Sequence, residues 1–131
     1  MPKRPSPHPT EAELEILSIL WRRGPGTVRQ IHDVVLTQRT TSLTTTLKTL
    51  QVMTEKALVV HNDERPHVYR AAVAEEKTQA GMLKDLLAKA FDGSAQKLMV
   101  RLVEAGDISR EELDDIAKLV RDLQKQQRGA K

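Results

Sequence analysis

Between Thr41 and Leu58 the chain reads Thr-Ser-Leu-Thr-Thr-Thr-Leu-Lys-Thr-Leu-Gln-Val-Met-Thr-Glu-Lys-Ala-Leu. A serine or threonine nucleophile in such a run needs a base within hydrogen-bond reach. The hydroxyls here are concentrated on one segment with no base partner, and no acid appears between Ser42 and Thr54. The other chemistry open to them is hydrogen bonding to an external surface. Leu43, Leu47, Leu50, Met53 and Ala57 recur at three- and four-residue steps and define the apolar stripe of a helix. Thr44, Thr45, Lys48 and Gln51 fall on the opposite face. Periodicity alone fits any amphipathic surface helix. A face that is hydroxyl-rich, basic and without acids also suits a DNA major groove.

Other chemistry is thin. The histidines are His8, His32, His61 and His67, with no His-x-x-x-His or His-Glu-x-x-His spacing. His61 and His67 are near enough in sequence to meet across a hairpin, but two ligands without a carboxylate shell make a weak zinc case. Gly24-Pro25-Gly26 lacks the third glycine of a dinucleotide fingerprint and follows a helix rather than a strand. The chain has no cysteine, which excludes disulfides, thiolate zinc sites and cysteine nucleophiles and fits a cytoplasmic location. No apolar run is long enough to span a membrane. An enzyme is not expected, and no metal or cofactor is.

The elements that would position the threonine-rich helix can be read in order. Residues 1–9, with four prolines, read as a disordered arm. Thr10 and Glu13 form a capping box, followed by an apolar face of Leu14, Leu17 and Trp21 widened by Ile16 and Leu20. Gly24-Pro25-Gly26 forces a turn. Thr27 and Gln30 repeat the box before a second helix, about residues 28–36, with Ile31, Val34 and Val35 inward. Thr41 or Ser42 caps the third helix. Leu58 to Asn62 reads as a strand, Asp63-Glu64-Arg65-Pro66 as a turn, and His67 to Ala71 as the return strand. Three helices followed by a β-hairpin make a winged helix-turn-helix domain over residues 10–73. Arg65 and His67 at the wing tip are placed to reach a phosphate or the minor groove, while Asp63 and Glu64 also offer Arg65 a local counter-charge.

Residues 74–127 are helical again. Met82, Leu83, Leu86, Leu87, Ala90 and Phe91 form one stripe. Leu98, Met99, Leu102 and Val103 form a second. Leu113, Ile116, Val120 and Leu123 form a third. So few residues bury a poor core alone, and a second copy of the chain is the economical partner. This predicts a carboxy-terminal helical dimerisation domain, with Leu83, Leu86, Leu87, Leu98, Leu102, Leu113, Ile116, Val120 and Leu123 at the interface. Residues 128–131 read as a disordered tail. The fold class is thus mainly α with a small β-hairpin wing. The net charge of +3 lies entirely in the amino-terminal part: residues 1–72 hold ten basic against seven acidic side chains, and residues 73–131 hold eleven of each. That is where an electrostatic footprint for nucleic acid belongs.

Four stretches resemble the penicillinase-repressor family of bacterial winged-helix transcriptional repressors. They are Thr10 to Trp21, Thr27 to Ile31, Thr44 to Leu50 running into Glu55 to Val59, and Tyr69-Arg-Ala71. The resemblance implies a homodimer that blocks transcription by binding an inverted-repeat operator in double-stranded DNA. It nominates Ser42, Thr44, Thr45 and Lys48 for the major groove, and Arg65 and His67 for the backbone. It also implies an upstream sensor protease whose signal leads to cleavage in the dimerisation domain. The matching bond is Arg101–Leu102, which departs from the family's Asn-Phe. Val52 departs too, where relatives place a basic residue. Cysteine-based copper sensing, known among relatives, is excluded. The competing readings are a winged-helix module that binds protein without specific DNA binding, and a ligand sensor with a pocket between the carboxy-terminal helices.

Overall fold

The computed structural model describes residues 8–129. Residues 1–7 of the expected arm and residues 130–131 of the expected tail lie outside it. His8 and Pro9 are half-buried and line a shallow cleft with Leu58, Val73 and Gly81 rather than extending away. The chain divides into two compact units between Leu83 and Lys84.

In the first unit, α1 (Glu11–Arg23) begins at the expected capping box. The Thr10 hydroxyl accepts from the Glu13 amide at 3.2 Å, and the Glu13 carboxylate accepts from the Thr10 amide at 2.9 Å. The same exchange between Thr27 and Gln30 starts α2 (Val28–Val35). Ser42 rather than Thr41 caps α3 (Leu43–Glu55), accepting from the Thr45 amide at 3.1 Å. These caps satisfy amides that a helix start otherwise leaves unpaired.

The hairpin is β2 (Val59–His61) and β3 (Val68–Ala71), with His61 opposite Tyr69. The sequence did not suggest β1 (Gly26–Thr27), which pairs antiparallel with the other edge of β3 and makes a three-stranded sheet in the order β1-β3-β2. A two-residue strand carries no periodicity to detect. Ile16, Leu17, Ile19, Leu20, Ile31, Val35, Leu50, Met53, Val59 and Tyr69 form one core drawn from α1, α2, α3 and the sheet. Trp21 packs on its edge, and its indole N–H donates to the Val73 carbonyl at 3.0 Å, tying α1 to the segment after the sheet.

Two expectations need correction. Ala57 is not on the inward stripe. It follows α3 with φ 61°, the left-handed residue of a helix stop in which the Leu58 amide reaches back to the Met53 carbonyl at 2.9 Å. Leu47 is not inward either, and its position is taken up below.

Glu13 is 3% exposed and does more than cap α1. Its carboxylate also binds the Lys56 ammonium at 2.9 and 3.1 Å, joining the start of α1 to the end of α3. Burial alone would raise its pKa. The Thr10 amide, the Lys56 ammonium and the Thr10 hydroxyl outweigh that and hold the carboxyl below its ordinary value.

The helix α4 (Glu75–Ala90) runs through the division from the first unit into the second and ends at a turn through Asp92 and Gly93. Ser94 caps α5 (Ala95–Ala105), which Gly106 closes in the left-handed conformation at φ 74°. Ser109 accepts from the Glu112 amide at 3.0 Å at the start of α6 (Arg110–Gly129). Arg128 and Gly129, expected in the tail, are its last residues. No residue of α4, α5 or α6 is buried.

Glu13→Gln leaves Lys56 without its counter-charge while keeping a side chain able to cap. It lowers the stability of the first unit by about 1–3 kcal/mol, read from the urea midpoint. A depressed folded-state pKa stabilises above the ordinary carboxylate range, and that contribution fades as pH falls through the lowered value. Acidification therefore destabilises the native protein more than the Gln variant. Ala57→Gly relieves the left-handed strain and raises stability by about 0.5–1 kcal/mol, net of the extra flexibility of glycine when unfolded.

Candidate nucleic-acid interface

The candidate surface is set by how α3 is rotated about its axis. Leu50 and Met53 are fully buried in the shared core. One turn earlier the buried residue is Thr46, whose hydroxyl lies 2.8 Å from Nδ1 of the equally buried His32 on α2. A buried hydroxyl and imidazole that satisfy each other avoid the cost of an unpaired polar group. With Thr46 inward, Leu47 turns outward and is 36% exposed. The stripe read from leucine spacing was therefore one residue out of register at this turn. Only the buried histidine on the neighbouring helix could have signalled it.

Ser42, Thr44, Thr45, Lys48 and Gln51 are all exposed, as expected. Ser42 and Thr45 also share a hydroxyl–hydroxyl hydrogen bond of 2.9 Å, which orients both side chains at the helix start. The Thr49 hydroxyl is turned to its own helix, donating to the Thr45 carbonyl at 3.0 Å. Val52, where a basic residue was looked for, is 42% exposed. Lys48 is the sole charged side chain of α3 before Glu55, and the amino-terminal end of a helix adds partial positive charge to that face.

The wing is closed by Asn62, whose side-chain oxygen accepts from the Val68 amide at 2.9 Å. Arg65 is exposed and its guanidinium lies 3.3 Å from His67 Nε2, while His67 Nδ1 lies 2.9 Å from the Glu64 carbonyl. An arginine can only donate and a carbonyl can only accept, so in this arrangement Nε2 faces the Arg65 donor and Nδ1 faces the Glu64 acceptor. No ion pair joins Arg65 to Asp63 or Glu64 among the described residues, so its local partner is the imidazole. His61, whose residue type alone suggested a metal ligand, stacks on His67 with ring centroids 4.0 Å apart and 20° between planes. Tyr69 meets the His61 ring edge-on at 5.3 Å. The stack stiffens the base of the loop that presents Arg65.

Among the described residues no group of three or more His, Cys, Asp or Glu side chains comes together to hold a metal. No helix there is long and apolar enough to cross a membrane.

The nominated interface residues of the second unit all lie on its surface or half-buried. Leu86, Ile116, Val120 and Leu123 are exposed, and Leu87, Leu98, Leu102 and Leu113 are half-buried. Leu83, just before the division, is exposed as well. Val103 at 50%, on the second stripe but outside the nominated set, and Leu119 at 57%, beside the third stripe, belong to the same class. Arg101 and Leu102 sit inside α5, with the Arg101 guanidinium bound to Glu104 at 3.1 Å.

The profile of the penicillinase repressor family matches residues 9–122. The transcriptional regulator BlaI of Mycobacterium tuberculosis is 32% identical over 117 residues, covering 87% of this chain and 83% of its own length. The match is the same for the strains CDC 1551 / Oshkosh and ATCC 25618 / H37Rv. A correspondence that runs from the first cap into the last helix, over a winged-helix fold, means that this chain belongs to the penicillinase repressor family and is a transcriptional regulator.

Proposed function

We propose that this regulator is a cytoplasmic repressor that binds an inverted-repeat operator in double-stranded DNA as a homodimer. The observation that carries the reading is the outward face of α3, where Ser42, Thr44, Thr45, Lys48 and Gln51 are exposed together without an acid until Glu55. Set in the major groove, this face brings hydroxyls, an amide and an ammonium to base edges. Arg65, held by the histidine stack, contacts a phosphate, and its charge adds to a salt-dependent, sequence-independent share of the affinity. A wing that bound protein instead would expose apolar side chains, whereas Asp63, Glu64 and Arg65 crown this one.

The second unit supplies the dimer. Three helices with no buried residue have no interior of their own, and their exposed leucines and valines need a partner surface. A twofold copy provides one and doubles a readout that single hydroxyl contacts leave modest. The functional boundary falls where the sheet ends and α4 begins, so residues 10–73 bind DNA and residues 74–127 pair. Relief of repression through an upstream sensor protease, if it acts at Arg101–Leu102, has to unwind α5 first, because chain cutting concentrates in exposed loops rather than helices.

Selection of bound duplexes from a random pool recovers an inverted repeat with half-sites about one helical turn apart. Lys48→Ala and Thr45→Ala each weaken binding to that duplex by about 1–2 kcal/mol without lowering the thermal midpoint. Unchanged affinity in both variants would remove α3 from the interface. In sedimentation velocity the native chain is a dimer and the double variant Val120→Glu, Leu123→Glu is a monomer. A variant that stays dimeric places the interface elsewhere.

A further inference from the structure

We propose that Leu47 reads the 5-methyl group of a thymine, so that one thymine in each half-site is recognised by an apolar contact. The inference rests on the seating of α3 proposed above. Its starting point is an exchange of neighbours that stability alone does not favour. At the turn between Leu43 and Leu50, α3 buries the hydroxyl of Thr46 and leaves the isobutyl group of Leu47 36% exposed. Isolated exposed leucines are ordinary on protein surfaces. Here, however, a polar residue has taken the inward place next to an available leucine, and a dedicated partner, His32 at 2.8 Å, keeps it there. Such a breach of apolar-in, polar-out order marks a surface selected for something other than folding.

The location says what that is. On a helix, residues three and four apart share a face. Leu47 stands three residues after Thr44 and four before Gln51, and also four after Leu43 and three before Leu50, so it sits at the margin where the polar strip meets the apolar face. A helix laid in the major groove by Thr44, Lys48 and Gln51 brings Leu47, next to Gln51, to the flank of that contact, within reach of a base-pair edge. Among the groups displayed there the thymine methyl is the apolar one, and apolar side chains contact it. A hydrocarbon side chain in that place discriminates thymine from cytosine by burying a methyl that cytosine lacks.

The test uses the full chain and the duplex recovered by selection, with each thymine replaced in turn by deoxyuridine, which removes the methyl and leaves every base-pairing group. At one position per half-site the native protein loses affinity by about three- to five-fold, the effect of removing one buried carbon group. Leu47→Ala binds the thymine and deoxyuridine forms of that position equally, and Leu47→Met keeps the preference for thymine. The slope of affinity against salt is the same for all three proteins, because no phosphate contact changes. The proposal is overturned if no deoxyuridine position weakens the native protein, or if Leu47→Ala still discriminates. Failure to recover any motif from the pool overturns the seating of α3 itself. That outcome differs from a recovered motif that is indifferent to the methyl.

Discussion

The rotation of α3 about its own axis decides what this protein presents to its surroundings, and it is set at the point where Thr46 meets His32. Leu50 and Met53 alone would tolerate a small roll of the helix, because apolar packing is weakly directional. A buried hydrogen bond is not. Once Thr46 faces Nδ1 of His32 at 2.8 Å, Thr44, Thr45, Lys48 and Gln51 are committed to the outside, and Leu47 with them. The exposed face is thus fixed by a polar contact within the core.

The other constraints hold that helix at its two ends. At the start, Ser42 caps the chain and orients Thr45. At the end, Lys56 is drawn to Glu13, a carboxylate already used to cap α1. One side chain therefore closes the amino terminus of one helix and anchors the carboxy terminus of another. The sheet adds a third support, since β2 follows directly from the left-handed turn at Ala57 and β3 is bound on both edges. The wing is positioned by the same core that positions α3, and the base of its loop carries the stacked imidazoles of His61 and His67.

The two units follow different physical logics. The first has a closed core of mainly aliphatic side chains with Met53 and Tyr69, and its buried polar groups are paired. The second has well-capped helices and no interior, and its apolar side chains remain on the surface. Local signals make helices, but burial makes a stable unit.

Much of this was written in the sequence because it depends on short-range chemistry. The capping boxes at Thr10 and Thr27, the breaks at Gly24 and Gly106, and the hairpin around Asp63 to Pro66 involve neighbours in the chain. So does the grouping of Thr44, Thr45, Lys48 and Gln51 on one helical face, which the period places opposite the apolar residues. The tertiary structure decided what depends on distant partners. The pairing of β1 with β3 joins residues too few and too far apart to leave a pattern. The bond from Lys56 to Glu13 has no sequence signature, and neither does the stacking of His61 on His67. The inward residue at the second turn of α3 was leucine by pattern and threonine in fact. Hydrophobic spacing counts apolar side chains on one helix, whereas a buried histidine on the next determines which neighbour can be satisfied inside.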